Sequence, residues 1–312
     1  MKMARKKKLL LTHIAILLVL TALVFVLAEE IQAAKKSVYY ALRLDKQQPE
    51  PTAAAYEDST PLESVASTGS EWYLKHRLIF HAGGQIQGHT YTNSLEAVEK
   101  TLAENSGGGC IIEIDLAHTS DGALVCVHEW SDAFLNQKEA VTLEEFLSRR
   151  IQGKYTPLTA EHLLKIMAEN PQMYLVTDMK EEAEVSSVIS ELVELCGRNS
   201  EVLSRVIVQL YTGLEKADIQ KVHPFRDEQF IFTDYKLGEW TWDIPRLCSR
   251  ERIPVITTPK GQVPEEDLAA LKKLGFVVFE YTVNRVDVAQ ESLSRGVSGF
   301  YTDSLVLEDV MP

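Results

Sequence analysis

The chain has 312 residues, of which 45% are hydrophobic and 25% charged, and its formal net charge is −13. This composition is ordinary for a folded protein with a substantial core. Five of the 32 basic residues fall in the first eight positions, which contain no acid. The rest, with 27 basic and 45 acidic residues, is a poor partner for nucleic acid, which proteins bind mainly through Lys and Arg contacts to phosphates.

An apolar stretch without charged residues occupies positions 9–28, directly after the basic tail of residues 1–8. About 20 apolar residues, each rising 1.5 Å along a helix, span the hydrocarbon core of a bilayer. The stretch therefore predicts a single-pass transmembrane anchor in the cell membrane. The preceding basic residues predict a cytoplasmic N-terminus and an extracytoplasmic body. A cleaved signal peptide is the alternative, although its apolar region is usually only about 7–15 residues long.

Residues 29–76 are rich in Pro, Ser, Thr, Ala and acids, which predicts a solvated tether. From residue 77 to residue 312, short β-branched runs alternate with amphipathic stretches, including residues 94–103, 183–195 and 265–274. This alternation indicates parallel β/α units, and eight of them form a TIM-type (β/α)8 barrel. The predicted strands are residues 78–81, 111–116, 173–178, 206–211, 230–234, 254–257, 277–283 and 299–302.

One strand-like run, residues 124–130, follows the second predicted strand too closely for a crossover helix, which needs a dozen or more residues. The gap contains Asp121 and Gly122, a pair typical of hairpin turns. We therefore expect a short antiparallel hairpin insertion after the second barrel strand.

Glu113 and Asp115 are two residues apart in the apolar run IIEIDL, so their side chains share one face of a strand. Acids inside a barrel are costly unless they are paired or bind a cation. At the C-terminal end of the strand they face the mouth of the barrel, where barrel enzymes have their active sites. Such oxygen ligands suit Ca²⁺ or Mg²⁺. A salt-bridged barrel mouth without catalysis is the alternative.

The same spacing recurs at Asp178 and Lys180, at the end of the next barrel strand. Asp178 is a candidate third cation ligand, and Lys180 is a candidate contact for a substrate phosphate. Gln209, on the run VIVQLY, is a further candidate for substrate contact at the same mouth.

Two histidines end predicted strands near the acidic pair: His81 ends the first strand, and His128 lies in the hairpin run. The pKa of an unperturbed histidine is near 6.5, which suits both proton donation and proton acceptance. We expect the two residues to act as a general acid–base pair. Gly83 and Gly84 follow His81, and we expect them to bring backbone N–H groups close to an oxyanion.

Taken together, the motifs HAGG, YTNSLEA, EIDLAHTSDGALVCVHEW, VTDMK, YTVN and GVSGFYTD resemble the glycerophosphodiester phosphodiesterase family over residues 78–305. The resemblance implies a TIM-type barrel with a short insertion after the second strand. It also implies that His81 and His128 form the acid–base pair and that Glu113 and Asp115 bind the metal. The family's third metal ligand, a glutamate, falls on Asp178, and its lysine falls on Lys180.

Two departures from the family pattern concern the phosphate. The arginine after the first histidine, which is expected to hold phosphate, is replaced by Ala82, and the glutamate of the ENT motif is replaced by Thr92. Asn93 of that motif is retained. Loss of a bidentate guanidinium affects the expected substrate more than the expected chemistry.

The predicted function is metal-dependent hydrolysis of a glycerophosphodiester or a related lipid or polymer head group, with a divalent cation as cofactor. In this family, a neighbouring glycerol hydroxyl can serve as the first nucleophile. Two alternatives stay open at this point. The fold and the two histidines are also similar to phosphatidylinositol-specific phospholipase C, and the lost arginine is compatible with a non-catalytic, membrane-tethered binding barrel.

Overall fold

The computed structural model describes residues 62, 64, 65, 71–179, 185–211, 215–234 and 240–311. Within these residues, eight parallel strands form a barrel and a ninth strand pairs with its rim. The predicted TIM-type barrel is confirmed. The strands are β1 Leu78–Phe80, β2 Cys110–His118, β3 Leu124–Cys126, β4 Met173–Met179, β5 Val206–Leu210, β6 Phe230–Thr233, β7 Val255–Pro259, β8 Val277–Tyr281 and β9 Gly299–Thr302.

The barrel is closed by β1, which pairs in parallel with β9 on one side and with β2 on the other. Each predicted barrel strand is present, and its ends differ from the prediction by no more than two residues. β3 is the predicted antiparallel excursion, with Leu116 opposite Cys126 and His118 opposite Leu124.

Helices follow most of the barrel strands. In the described residues they are α1 Trp72–Lys75, α2 Leu95–Glu104, α3 Trp130–Ala133, α4 Leu143–Ser148, α5 Ala160–Glu169, α6 Val185–Leu195, α7 Ser200–Leu203, α8 Glu215–Val222, α9 Asp243–Glu251, α10 Glu265–Lys273 and α11 Val286–Arg295. The predicted helices correspond to α2, α6 and α10. The α2 helix starts where the Ser94 hydroxyl accepts a hydrogen bond from the Ala97 N–H, a typical N-cap.

The insertion after β2 is larger than the short hairpin that the sequence predicts. Beyond β3 it contains α3 and α4, and it buries its own apolar cluster around Val127, Phe134 and Phe146. This cluster was not expected because short helices of four and six residues leave little periodicity to read in a sequence.

The floor of the barrel is formed by residues that the sequence assigned to the tether. Trp72 and Tyr73 are buried against inward-facing strand residues such as Phe279. The Trp72 indole N–H donates to the Glu228 carbonyl oxygen at 2.8 Å. The compact unit begins at Leu62, before the predicted boundary at residue 77.

None of the helices in the described residues is long and apolar enough to cross a bilayer. The predicted anchor at residues 9–28, the basic tail and most of the predicted tether lie outside the described residues. The anchor therefore stays a prediction.

Replacing Trp72 with Ala should lower the free energy of unfolding by about 3–5 kcal/mol, because it removes a buried aromatic side chain and leaves a cavity. Leu74→Ala on the same helix is the matched control, since Leu74 is 52% exposed, and it should change stability little. Denaturant unfolding of both variants tests the prediction. A loss below about 1 kcal/mol for Trp72→Ala would show that the barrel floor does not depend on this residue.

Candidate active site

The mouth of the barrel carries a ring of polar side chains, which follows from the two-residue period of the strands. On each barrel strand, an inward-facing residue of the buried core is followed two positions later by a polar or aromatic residue at the C-terminal end. A cavity of about 240 Å³ opens at this ring. The ring residues are His81, Glu113, Asp115, Asp178, Gln209, Tyr211, Thr233, Thr257, Tyr281 and Asp303.

Three carboxylates lie together on one side of this ring. In the parallel register of β2 and β4, Asp115 is directly opposite Asp178, and Glu113 lies two residues earlier. One oxygen from each of the three lies within 4.8 Å of the others. Glu113 and Asp115 are each only 1% exposed.

Neutral donors hold two of these carboxylates from the side of β1. The Ala82 N–H donates to Glu113 Oε2 at 2.7 Å. The Asn93 amide donates to Asp115 Oδ2 at 2.9 Å, and its oxygen accepts from the Asp115 N–H at 3.1 Å. The other Asp115 oxygen, Oδ1, is buried and has no hydrogen-bond partner among the described residues.

The electrostatics of the cluster favour a bound cation. Burial, and then the negative charge of Asp178, raise the pKa of Asp115. A divalent cation would offset both effects, and three carboxylates are a ligand set that suits Ca²⁺ or Mg²⁺. The donor set and the unpartnered Asp115 oxygen therefore fit the cation expected from the sequence.

The third carboxylate is oriented by a buried chain of hydrogen bonds. Tyr301 Oη donates to Gln209 Oε1 at 2.7 Å, and Gln209 Nε2 donates to Tyr211 Oη at 3.1 Å. Tyr211 Oη in turn donates to Asp178 Oδ1. Burial and the adjacent Asp178 raise the pKa of Tyr211 well above its usual value, so this phenol stays protonated and acts as a donor.

His81 lies in a short 3₁₀ turn directly after β1. Its Nδ1 is 2.8 Å from Asp303 Oδ1, and the other oxygen of Asp303 accepts from the Asn284 amide at 2.6 Å. Burial alone would lower the pKa of His81. The hydrogen bond to Asp303 and the charges of Asp115, Asp303 and Asp178 outweigh it, so the pKa is raised.

His128 reaches the same cavity from the insertion. Its Nδ1 is 2.6 Å from Asp132 Oδ2, on the first turn of α3. Each histidine is therefore held through Nδ1 by an aspartate, which leaves Nε2 as the second ring nitrogen. The Tyr91 ring lies between them, with its centroid 4.6 Å from each imidazole centroid.

The glycines after His81 pack against α2. Gly84 adopts φ +87°, and a Cβ there would lie 2.6 Å from Thr101 Oγ1 of α2. The Thr101 hydroxyl also donates to the Gly83 carbonyl at 2.7 Å. The glycines thus let the loop pack closely on a helix. In the same loop, the Ala82 N–H donates to the Glu113 carboxylate.

The predicted residues His81, His128, Glu113, Asp178 and Gln209 line one cavity, with Asp115 beside it. Lys180 lies outside the described residues. Sequence reasoning missed four residues that contact the predicted ones: Tyr91, Asp132, Tyr211 and Asp303. It also missed Asn284, which donates to Asp303.

A signal for three of the missed residues was present, since Tyr91, Asn284 and Asp303 lie in the motifs YTNSLEA, YTVN and GVSGFYTD. Their spacing gave no indication of what they contact.

Comparison with known proteins identifies the class. A profile of the Glycerophosphoryl diester phosphodiesterase family matches residues 83–307. The chain therefore belongs to this family and is a phosphodiester hydrolase. A search of curated proteins gave no match.

Solved structures with the same fold include family members from distant organisms. A putative glycerophosphodiester phosphodiesterase from Galdieria sulphuraria is 16% identical, with a TM-score of 0.60 over 73% of this chain and 93% of that one. A glycerophosphodiester phosphodiesterase from Parabacteroides distasonis is 16% identical, with a TM-score of 0.58 over 73% and 92%. A phosphodiesterase from Oleispira antarctica, solved with its product sn-glycerol-3-phosphate, is 15% identical, with a TM-score of 0.57 over 73% and 93%.

Replacing Asp303 with Asn should lower the pKa of His81, because the imidazolium loses both a charged hydrogen-bond acceptor and a nearby negative charge. In an NMR titration, the His81 ring signals should then reach their midpoint at a lower pH than in the wild type. Asp132→Asn, which changes the partner of His128, is the control and should leave the His81 midpoint in place. An unchanged or higher midpoint in Asp303→Asn would contradict the role of this aspartate.

Proposed function

We propose that the protein hydrolyses a glycerophosphodiester, or a related phosphodiester of a lipid or polymer head group, with the help of a divalent cation. The observation that carries the proposal is the placement of three carboxylates and two aspartate-bound histidines around one cavity. Glu113, Asp115 and Asp178 would hold the cation, Ca²⁺ or Mg²⁺. When bound, such a cation polarises a phosphoryl oxygen and offsets the charge that develops there.

The two histidines would transfer the protons. Because Asp303 and Asp132 occupy the Nδ1 positions of His81 and His128, each ring can exchange a proton through Nε2. One imidazole would accept a proton from the attacking hydroxyl, which can be a neighbouring hydroxyl of glycerol, and the other would donate a proton to the leaving alcohol oxygen. Water would then open the resulting cyclic phosphodiester, giving its proton to the second imidazole while the first imidazole returns a proton to the departing glycerol oxygen. The aspartates would keep the rings oriented, and Asp303 would also stabilise the protonated form of His81.

The substrate would occupy both the cavity and a groove beside it. The cavity of about 240 Å³ suits a phosphate with a glycerol. A groove of about 700 Å³ adjoins it at His128 and Met179 and leaves room for the alcohol on the other side of the phosphate. The sn-glycerol-3-phosphate bound to the Oleispira antarctica phosphodiesterase supports a small phosphodiester of this kind.

The sequence adds two elements to the proposal. Lys180 is two positions after Asp178 and would contribute a positive charge near the phosphate. The apolar stretch at residues 9–28 would anchor the enzyme in the cell membrane, with the barrel on the extracytoplasmic side and close to lipid-derived substrates.

Replacing Tyr211 with Phe should weaken cation binding by about 10- to 100-fold, the usual cost of removing a hydrogen bond that orients a metal ligand. Isothermal titration calorimetry with Ca²⁺ and with Mg²⁺ measures the effect. Tyr301→Phe removes the hydrogen bond to Gln209, which is two steps further from Asp178 in the same series of hydrogen bonds. This variant should have a smaller effect. Wild-type affinity in Tyr211→Phe would mean that Asp178 does not need its tyrosine to bind the cation.

The main experiment is a turnover assay of the purified protein on a glycerophosphodiester with Ca²⁺ or Mg²⁺. EDTA should abolish turnover, and His81→Ala and His128→Ala should each lower kcat by about 10²- to 10⁴-fold. His162→Ala, at an exposed position on α5, is the control and should retain full activity.

The other outcomes of this assay separate the alternatives. Activity that survives exhaustive chelation rejects the cation. A cyclic inositol phosphate product from a phosphatidylinositol substrate would indicate a phospholipase C-like reaction. Binding of phosphodiesters without any turnover would indicate a non-catalytic binding barrel.

A further inference from the structure

Tyr91 occupies the space between the two proposed proton-transfer groups. Its ring meets the His81 imidazole edge-on, at an interplanar angle of 88°, and inclines to the His128 imidazole at 57°. All three side chains line the same cavity. A phosphodiester that reaches both imidazoles must therefore lie next to the Tyr91 ring.

The backbone on both sides of Tyr91 is held in place. The Thr90 carbonyl accepts from the Gln152 amide at 2.9 Å, and the Asn93 N–H donates to the Ala82 carbonyl at 3.1 Å. Tyr91 itself has φ +56°, a left-handed conformation that is unfavourable for a bulky residue. Such conformations persist only where the surrounding structure enforces them, and they concentrate at functional sites.

The hydroxyl of Tyr91 differs from those of the other tyrosines that line the cavity. Tyr211 donates to Asp178, Tyr301 donates to Gln209, and Tyr281 donates to the Asp234 carbonyl. The Tyr91 hydroxyl has no hydrogen-bond partner among the described residues. Burial and the nearby carboxylates, Asp303 first among them, raise its pKa, so it stays protonated and can donate.

The cavity also lacks the side chain that this family is expected to use for phosphate. Ala82 stands in the arginine position, is fully buried, and uses its N–H on Glu113. None of the described residues that line the cavity is Lys or Arg. A non-bridging phosphoryl oxygen on this side of the cavity therefore needs a donor from another position.

We propose that the Tyr91 hydroxyl donates a hydrogen bond to a non-bridging phosphoryl oxygen of the substrate and of the phosphomonoester product, in place of the missing arginine. The inference rests on the proposed function, since it places a phosphoryl group beside the Tyr91 ring and within reach of both histidines. It assigns the phenol a binding role, and the proton transfers stay with the imidazoles.

The test compares Tyr91→Phe, which keeps the ring and removes only the hydroxyl, with the wild type. In calorimetry with sn-glycerol 3-phosphate and saturating Ca²⁺ or Mg²⁺, Tyr91→Phe should bind about 10- to 100-fold more weakly, as expected for a lost hydrogen bond to a charged group. Its kcat/KM on a glycerophosphodiester should fall by a similar factor, with an unchanged unfolding midpoint. Tyr174→Phe, on the β4 strand at the opposite end of the barrel near His76, is the matched control and should bind normally.

Wild-type affinity for sn-glycerol 3-phosphate in Tyr91→Phe would overturn the proposal and leave the ring as a spacer between the histidines. The binding measurement does not depend on catalysis. If the wild type binds the phosphomonoester but turns over no phosphodiester, the proposed function fails while the Tyr91→Phe comparison still decides this inference. If the wild type turns over the phosphodiester but does not bind the phosphomonoester, this inference is overturned while the proposed function stands.

Discussion

Mutual repulsion of three carboxylates is the constraint around which the mouth of this barrel is arranged. Glu113, Asp115 and Asp178 have oxygens within 4.8 Å of one another. At an effective dielectric constant near 20, two full charges at that distance repel each other by roughly 3–4 kcal/mol. The parallel register that sets Asp115 opposite Asp178 is part of the barrel itself, so the strands cannot pair in this way without the repulsion. A bound divalent cation would offset this repulsion by attracting all three carboxylates.

Neutral hydrogen-bond donors from several elements orient the carboxylates of the cluster. The donors include the N–H of Ala82, the amide of Asn93 and the phenol of Tyr211. All three are neutral donors, which fix the direction of an oxygen and leave its charge available. A lysine or arginine in the same positions would compete with the cation. These neutral partners fit the proposed cation site.

The two histidines, in contrast, contact charged partners. In the proposed mechanism the charges of these aspartates support proton transfer. Each imidazole is bound through Nδ1 by an aspartate that is not one of the three clustered carboxylates. One aspartate comes from the end of β9 and the other from the insertion, so the proposed acid–base pair depends on both barrel closure and insertion folding. The insertion is therefore part of the active site, and its own small core around Phe146 serves to place His128.

Much of this protein could be predicted from its sequence, because the alternation of side chains along a strand is a local property. Alternation predicted the eight barrel strands and the shared face of Glu113 and Asp115. It also predicted that Asp178 ends the next barrel strand at the same mouth. The Asp121–Gly122 turn predicted the hairpin. The tertiary structure alone decided what those residues contact. Asp303 meets His81 across 222 positions of sequence, Tyr211 meets Asp178 from the next strand, and Tyr91 fills the space between two histidines. Those contacts depend on strand order, closure of the barrel and an enforced left-handed backbone, and no period or spacing within one segment encodes them.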